Sequence, residues 1–200
     1  MTGPLSRRFE DALVFAHRLH AAQVRKGGRI PYVSHLLAVA SLALEHGADE
    51  DVAIAALLHD ALEDQGGRPT LERIRRRFGA RVAAIVEGCS DADTVPKPAW
   101  RARKERYLCH LDTAPPDVRL VSACDKLHNA RAILAGYRVH REAFWKRFKL
   151  KGGRDGTLWY YRALVQAFRR HGMTPLVAEL ARVVAELDEL AAARGAKAAG

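Results

Sequence analysis

Ala55-Ala56-Leu57-Leu58-His59-Asp60-Ala61-Leu62-Glu63-Asp64 joins an apolar helix to four groups able to hold a cation or move a proton. A helix rich in alanine and leucine belongs in a core. Its end carries adjacent His and Asp, and two further carboxylates follow within one turn. Burying such groups is costly unless something binds them, and a metal ion is the usual solution. His59 and Glu63 are four residues apart, as are Asp60 and Asp64, so each pair is expected on one helix face. Two metal ligands can then stand beside two carboxylates that polarise a water.

A metal needs more ligands than His59 and Asp60. His35 lies in Pro31-Tyr32-Val33-Ser34-His35-Leu36-Leu37, at the start of an apolar segment, and Asp125 lies in Val121-Ser122-Ala123-Cys124-Asp125-Lys126-Leu127-His128-Asn129, inside another. The order His…His-Asp…Asp, each on its own helix, resembles the HD metal-dependent phosphohydrolases. Two imidazoles and two carboxylates form a mixed nitrogen and oxygen set. It suits six-coordinate Mn²⁺ or Fe²⁺, or another divalent transition metal with open positions, better than a closed structural zinc site.

Four separated blocks narrow the resemblance. They are Gln23-Val24-Arg25-Lys26-Gly27-Gly28, Ile30 to His35, Leu57 to Asp64, and Asp125-Lys126-Leu127-His128-Asn129-Ala130-Arg131. In this order the chain looks like the hydrolase domain of the RelA/SpoT alarmone enzymes, above all the small single-domain alarmone hydrolases. The resemblance implies Mn²⁺-dependent removal of the 3′-pyrophosphate of (p)ppGpp, giving GDP or GTP and pyrophosphate. It implies metal ligation by His35, His59, Asp60 and Asp125. Glu63 and Asp64 would orient or deprotonate the attacking water. Arg25 and Lys26 would meet base and phosphates, and Asn129 would face the nucleotide. Ala132 stands where the long members carry Thr, and Lys151-Gly152-Gly153-Arg154-Asp155-Gly156 is particular to this chain. The other reading of the same residues is an HD phosphohydrolase for a different nucleotide or phosphorylated metabolite.

Two aromatic residues join the candidate site on their own chemistry. Tyr32, beside Pro31, is either packing or a wall of the site. Tyr160, in Trp159-Tyr160-Tyr161-Arg162, is a candidate phosphate contact, because a phenol combines an apolar body with a polar tip. His17, His20, His46, His110, His140 and His171 are scattered and carry no assignment; His128 reads as structural.

The periodicity predicts an all-α protein, and with the resemblance an HD-domain helical bundle of about eight to ten helices. A first helix is expected from Ser6 to Val24, then a loop from Arg25 to Pro31. A second helix carries His35 and ends near Gly47. Asp49 caps a third, whose C-terminal half delivers His59 and Asp60. A turn spans Gln65 to Pro69, and Thr70 caps a short helix stopped by Gly79. Further helices are expected from Ala80 to Glu87, Ala99 to Leu111, Pro115-Pro116 onward through Asp125 and Asn129, Leu158 to His171, and Pro175 to Ala193. Ser90 to Pro98 reads as a loop. The expected organisation is one hydrolase domain over residues 1–190 and a flexible tail over 191–200.

With 200 residues, 48% hydrophobic and 28% charged, the composition is that of a globular chain. No apolar run reaches the roughly 20 residues of a membrane span. Met1 to Arg8 does not read as a signal peptide, and Cys89, Cys109 and Cys124 read as reduced core thiols, so a cytoplasmic location is expected. The net charge is +10 and the isoelectric point about 9.9, which fits a small anionic nucleotide as partner. The arginine clusters lack the interleaved aromatics of a single-strand binding surface, so nucleic acid is not expected. The sequence is compatible with a homodimer. It shows neither a Gly-x-x-x-x-Gly-Lys phosphate loop nor a Gly-x-Ser-x-Gly turn, and no Cys-His pairing is apparent, so no covalent route is indicated.

Overall fold

The computed structural model describes residues 5–91 and 98–195. Among them there are ten α-helices, one 3₁₀ segment and no strand. The order is α1 (Arg7–Leu19), α2 (Val33–Glu45), α3 (Glu50–Leu58), α4 (Ala61–Asp64), α5 (Gly67–Phe78), α6 (Ala80–Cys89), α7 (Trp100–Thr113), α8 (Pro116–His140), the 3₁₀ segment (Arg141–Lys151), α9 (Gly153–Arg169) and α10 (Pro175–Gly195). The all-α expectation holds. No described helix is long and apolar enough to cross a membrane.

The chain divides into two compact units. The first comprises Met1–Pro98 and Thr113–Asp125, the second Ala99–Asp112 and Lys126–Gly200. In the first unit α3 is the central element, packed against α1, α2 and α6. Every residue from Val52 to Leu58 is buried, and its alanines let the neighbours approach closely. Asp49 caps it, the carboxylate accepting a hydrogen bond from the Val52 amide at 3.0 Å. Arg81 of α6 reaches Asp49 at 2.7 Å and Asp117 of α8 at 2.8 Å. That guanidinium ties the start of α3 to the start of α8, the two helices that lead to His59 and Asp125. In the second unit α9 packs on α10 and on the 3₁₀ segment, around Leu164, Leu180 and Leu187.

Several boundaries differ from expectation, each for a physical reason. α1 stops at Leu19 rather than Val24, because the chain turns over His20 to Ala22 and Val24 then bridges to Pro31. The third helix ends at Leu58, before the residues it was expected to carry. His59 is its C-cap and Asp60, at φ −92° and ψ −1°, starts the separate α4; this backbone region is sparsely populated and frequent at active sites. Thr70 is no cap. α5 begins at Gly67, after Gly66 at φ 94°, and Thr70 turns its hydroxyl back to the Gln65 carbonyl. Pro69 fits because the first helical turn needs no amide donor. The 3₁₀ segment was not anticipated, and α9 begins five residues before Leu158, at Gly153. α10 runs to Gly195, so residues 191–195 of the expected tail are helical; 196–200 lie outside the described residues, as do Met1–Pro4 and 92–97 of the expected Ser90–Pro98 loop.

Only one of the three thiols is a core residue. Cys124 is buried, Cys89 half-buried and Cys109 exposed. Burial, with Asp125 adjacent, pushes the Cys124 thiol up to about 12.

The approach of α6 to α8 depends on Gly88, where a Cβ would stand 2.7 Å from Cγ2 of Val118. Overpacking costs about 1–3 kcal/mol, and the alanine gains back about 1 kcal/mol of helix propensity. Gly88→Ala is therefore expected to lower the melting temperature by about 2–4 °C. In a Val118→Ala background the same change should raise it. Thermal melts of the four proteins decide, and a fall of equal size in both backgrounds would contradict the contact.

Candidate metal centre

Four side chains from four local elements meet within the first unit. His35 sits in the first turn of α2 and is fully buried; His59 follows α3 and is 3% exposed; Asp60 precedes α4; Asp125 lies on α8 and is 6% exposed. The His35 Nε2 lies 3.2 Å from Asp125 Oδ1 and 3.5 Å from Asp60 Oδ2. The His59 Nε2 lies 3.1 Å from Asp60 Oδ2 and 3.7 Å from Asp125 Oδ1. His35, His59 and Asp125 each offer a ligand atom within 4.8 Å of the other two. Neighbouring ligands of an octahedral ion with bonds near 2.1 Å stand about 3 Å apart.

The chemistry of the donors fits a cation. His59 Nδ1 donates to the Ala56 carbonyl at 2.8 Å, which turns the bare Nε2 of the neutral ring toward two carboxylates. That nitrogen is buried with no hydrogen-bond donor. Three acceptors facing one another repel unless a proton or a metal ion lies between them. The titration behaviour reports the same field. Burial pushes the His59 imidazole down, but Asp60 and Asp125 reverse this and hold it well above its ordinary value. Burial pushes Asp60 up, but His59 and His35 hold it well below the usual carboxylate range.

Tyr32 is engaged here. Its hydroxyl donates to Asp60 Oδ2 at 2.6 Å. Burial, then Asp60, raises its pKa. Its ring stacks on His20 at 5.3 Å, and the Arg25 guanidinium lies 5.7 Å from its centroid. Of the two readings, packing or site wall, the structure supplies a third element: Tyr32 fixes a carboxylate. Arg25 and Lys26 stand on a short loop closed by the Val24–Pro31 bridge and by the Arg25 amide donating to the Ile30 carbonyl at 2.8 Å. Arg25 is half-buried and Lys26 exposed.

Glu63 and Asp64 follow Asp60 on α4. The Asp64 amide donates to the Asp60 carbonyl at 2.9 Å, so the four-residue spacing survives although the helix breaks at His59. Glu63 is half-buried and Asp64 exposed. Asp64 Oδ2 accepts from Gln23 Nε2 at 2.8 Å. Asn129 lies one turn beyond Asp125 on α8, half-buried, in the second unit. Tyr160 is also in the second unit, 5% exposed, with Trp100 and Trp159 at 6.2 Å and the Lys104 ammonium 4.9 Å from its ring centre.

Sequence reasoning passed over His20, Gln23 and Gln65. Gln65 Nε2 donates to Gln23 Oε1 at 2.6 Å, and His20 Nδ1 lies 2.6 Å from the same oxygen. Burial pushes His20 below the ordinary imidazole value, against the Gln23 contact. The available signal was the adjacency of uncharged polar residues to charged ones: Gln23 before Arg25-Lys26, and Gln65 directly after Glu63-Asp64.

The chain is similar to known proteins. The HD domain pattern matches residues 12–146. The chain is 33% identical over 177 residues to human guanosine-3′,5′-bis(diphosphate) 3′-pyrophosphohydrolase MESH1, covering 82% of this chain and 94% of the human protein. It is 38% identical over 128 residues to the Aquifex aeolicus guanosine-3′,5′-bis(diphosphate) 3′-pyrophosphohydrolase, covering 64% of this chain but only 18% of that protein. Among solved structures, one described as a metazoan orthologue of SpoT that hydrolyses ppGpp and plays a role in starvation responses aligns with a TM-score of 0.70 at 26% identity, over 98% of this chain and 99% of that one. The Listeria monocytogenes protein lmo0812 aligns with a TM-score of 0.66 at 28% identity, over 75% of this chain and 96% of that one.

The His59–Asp60 pair makes the stability of metal-free protein depend on pH. A raised imidazole pKa adds stability that is complete below the unfolded value of about 6.5 and is lost as pH rises through the folded value. The depressed Asp60 contributes above the unfolded carboxylate value and is lost as pH falls through its folded one. Chelator-treated protein should therefore melt lower as pH climbs above about 6.5. His59→Gln should flatten that decline. Saturating Mn²⁺ should remove it in the wild type, because ligand deprotonation favours metal binding. An unchanged decline in His59→Gln would remove His59 as its source.

Proposed function

The chain belongs to the HD-domain family, and from that premise we propose that it hydrolyses the 3′-pyrophosphate ester of guanosine 3′,5′-bis(diphosphate) or its pentaphosphate analogue, releasing pyrophosphate and GDP or GTP. One observation carries the proposal: two buried imidazoles and two carboxylates converge where α4, the short helix that carries Glu63 and Asp64, begins. Similarity along nearly the whole length of MESH1 supports the substrate. The reading assigns His35, His59, Asp60 and Asp125 to a divalent cation, Mn²⁺ first and Fe²⁺ next.

When bound, such a cation supplies Lewis acidity, making hydroxide available near neutral pH and withdrawing charge from phosphate. The protein's own groups do the rest. Glu63 and Asp64 orient the attacking water or take its proton, and Gln23 donates to Asp64 Oδ2, leaving Oδ1 to face that water. Tyr32, donating to Asp60 Oδ2, keeps that carboxylate turned toward the imidazoles. Arg25, beside the Tyr32 ring, offers a planar cation that stacks on a base or forks onto phosphate, and exposed Lys26 adds a point charge. Asn129, one turn past Asp125 on the same face of α8, is assigned to the nucleotide by the family resemblance. Tyr160 is the weaker of the proposed nucleotide contacts, since the residue and its hydroxyl oxygen are buried.

Two predictions follow from these roles. With Mn²⁺ and ppGpp, chromatography should show GDP and pyrophosphate rather than single phosphates. Glu63→Gln should retain its metal and lose about 10²-fold or more in kcat. Turnover of another phosphorylated compound but not of ppGpp would reassign the substrate within the HD phosphohydrolases, and a Glu63→Gln enzyme at the wild-type rate would remove the water-activating role.

The loop cations give the second. Arg25→Ala should raise KM and also lower kcat, because a cation on the transferring group is felt in ground and transition states alike. Lys26→Ala should do the same more mildly. Steady-state kinetics check both; equal effects of the two changes would argue for bulk charge rather than for a fork at Arg25.

A further inference from the structure

We propose that Gln23 is a positioning residue for hydrolysis, its side-chain amide holding the Asp64 carboxylate in place while Gln65 and His20 hold Gln23. This rests on the reading of Asp64 as a group that orients the water.

Asp64 has little of its own to fix it. It is exposed and ends α4, a helix of four residues. A carboxylate in that setting exchanges among rotamers. The hydrogen bond from Gln23 Nε2 to Asp64 Oδ2 at 2.8 Å selects one of them and leaves Oδ1 for the reaction. The polarity of the chain of contacts is set by chemistry. A carboxylate only accepts, so Gln23 must turn its NH₂ toward Asp64 and its Oε1 away. That oxygen meets two donors, Gln65 Nε2 and His20 Nδ1, each at 2.6 Å. His20 therefore carries its proton on Nδ1.

The backbone of Gln23 is fixed as firmly as its side chain. Its amide donates to the His20 carbonyl at 2.9 Å, and its carbonyl accepts from the Tyr32 amide at 2.9 Å. His20 also stacks on the Tyr32 ring, whose hydroxyl holds Asp60. One short stretch, His20 to Tyr32, thus orients a carboxylate of the candidate metal centre through Tyr32 and one of the water-activating pair through Gln23. Gln65, immediately after Asp64, is bound from the other side by Thr70 through its carbonyl. A group displaced by about 1 Å can cost about 10²-fold in rate, so the loss of such a support has a measurable consequence.

The experiment is a double-mutant cycle on the metal-loaded full chain, reading pyrophosphate release from ppGpp, with metal content and melting temperature beside it. Gln23→Leu should lower kcat by about 10- to 100-fold, leave KM within about 2-fold, and keep the wild-type metal content. Gln65→Leu should lower kcat by a smaller factor. In an Asp64→Asn background, Gln23→Leu should cost less than about 2-fold, since the carboxylate it serves is gone. A separate readout needs no turnover: the Gln23 side-chain amide signals in ¹⁵N spectra should shift in Asp64→Asn. Equal losses from Gln23→Leu in both backgrounds, or wild-type kcat in Gln23→Leu, overturn the proposal. If the wild type does not turn over ppGpp, the functional reading fails instead, and the amide signals alone decide whether Gln23 holds Asp64.

Discussion

Two carboxylates and two imidazoles brought together at low exposure dictate the construction of the first unit. Asp60 and Asp125 concentrate negative charge where His35 and His59 admit almost no water. Such a cluster is stable only with a positive charge at its centre. Everything around it serves to hold the four groups against their own tendency to separate. α3 is anchored by burial from Val52 to Leu58 and by the Asp49 cap. Arg81 ties it to the head of α8. The Ala56 carbonyl fixes the His59 tautomer, and Tyr32 fixes Asp60. Each exposed ion pair adds little by itself; their value lies in keeping the elements that bear the ligands in register.

The break after Leu58 has a chemical use. A continuous helix would point residues 59, 60, 63 and 64 along fixed directions 100° apart per residue. Ending α3 at Leu58 and restarting at Ala61 frees His59 and Asp60 to turn toward the same centre, while the Asp64 amide still closes onto the Asp60 carbonyl. The cost is one residue in a sparsely populated backbone region, borne within a buried, well-packed segment.

Much of this was legible in residue types. The apolar run Ala53 to Leu58 announces a buried helix, Asp49 its cap, and Pro115-Pro116 the opening of α8. The His, His-Asp and Asp blocks, each in an apolar setting, announce a cluster before any coordinate is known. What the sequence concealed was geometry set by tertiary contacts. Helical periodicity continues from Leu19 toward Val24, but bridging of Val24 to Pro31 overrides it. Thr70 looks like a cap because threonine usually is one, yet two glycines with positive φ let α5 start earlier. Arg141 to Lys151 is aromatic and basic without a clean period, and it adopts a 3₁₀ segment. Gln23, Gln65 and His20 gave only a weak signal, their adjacency to charged residues; their convergence on the Gln23 amide, which holds Asp64, is set by the fold.

The central claim is that the four donors hold one divalent cation. Crystals grown with MnCl₂ and measured at the manganese absorption edge address it directly. The account predicts one anomalous peak, about 2.0–2.3 Å from His35 Nε2, His59 Nε2, an Asp60 oxygen and an Asp125 oxygen. Density there without an anomalous signal, or manganese bound only to other residues, would contradict it.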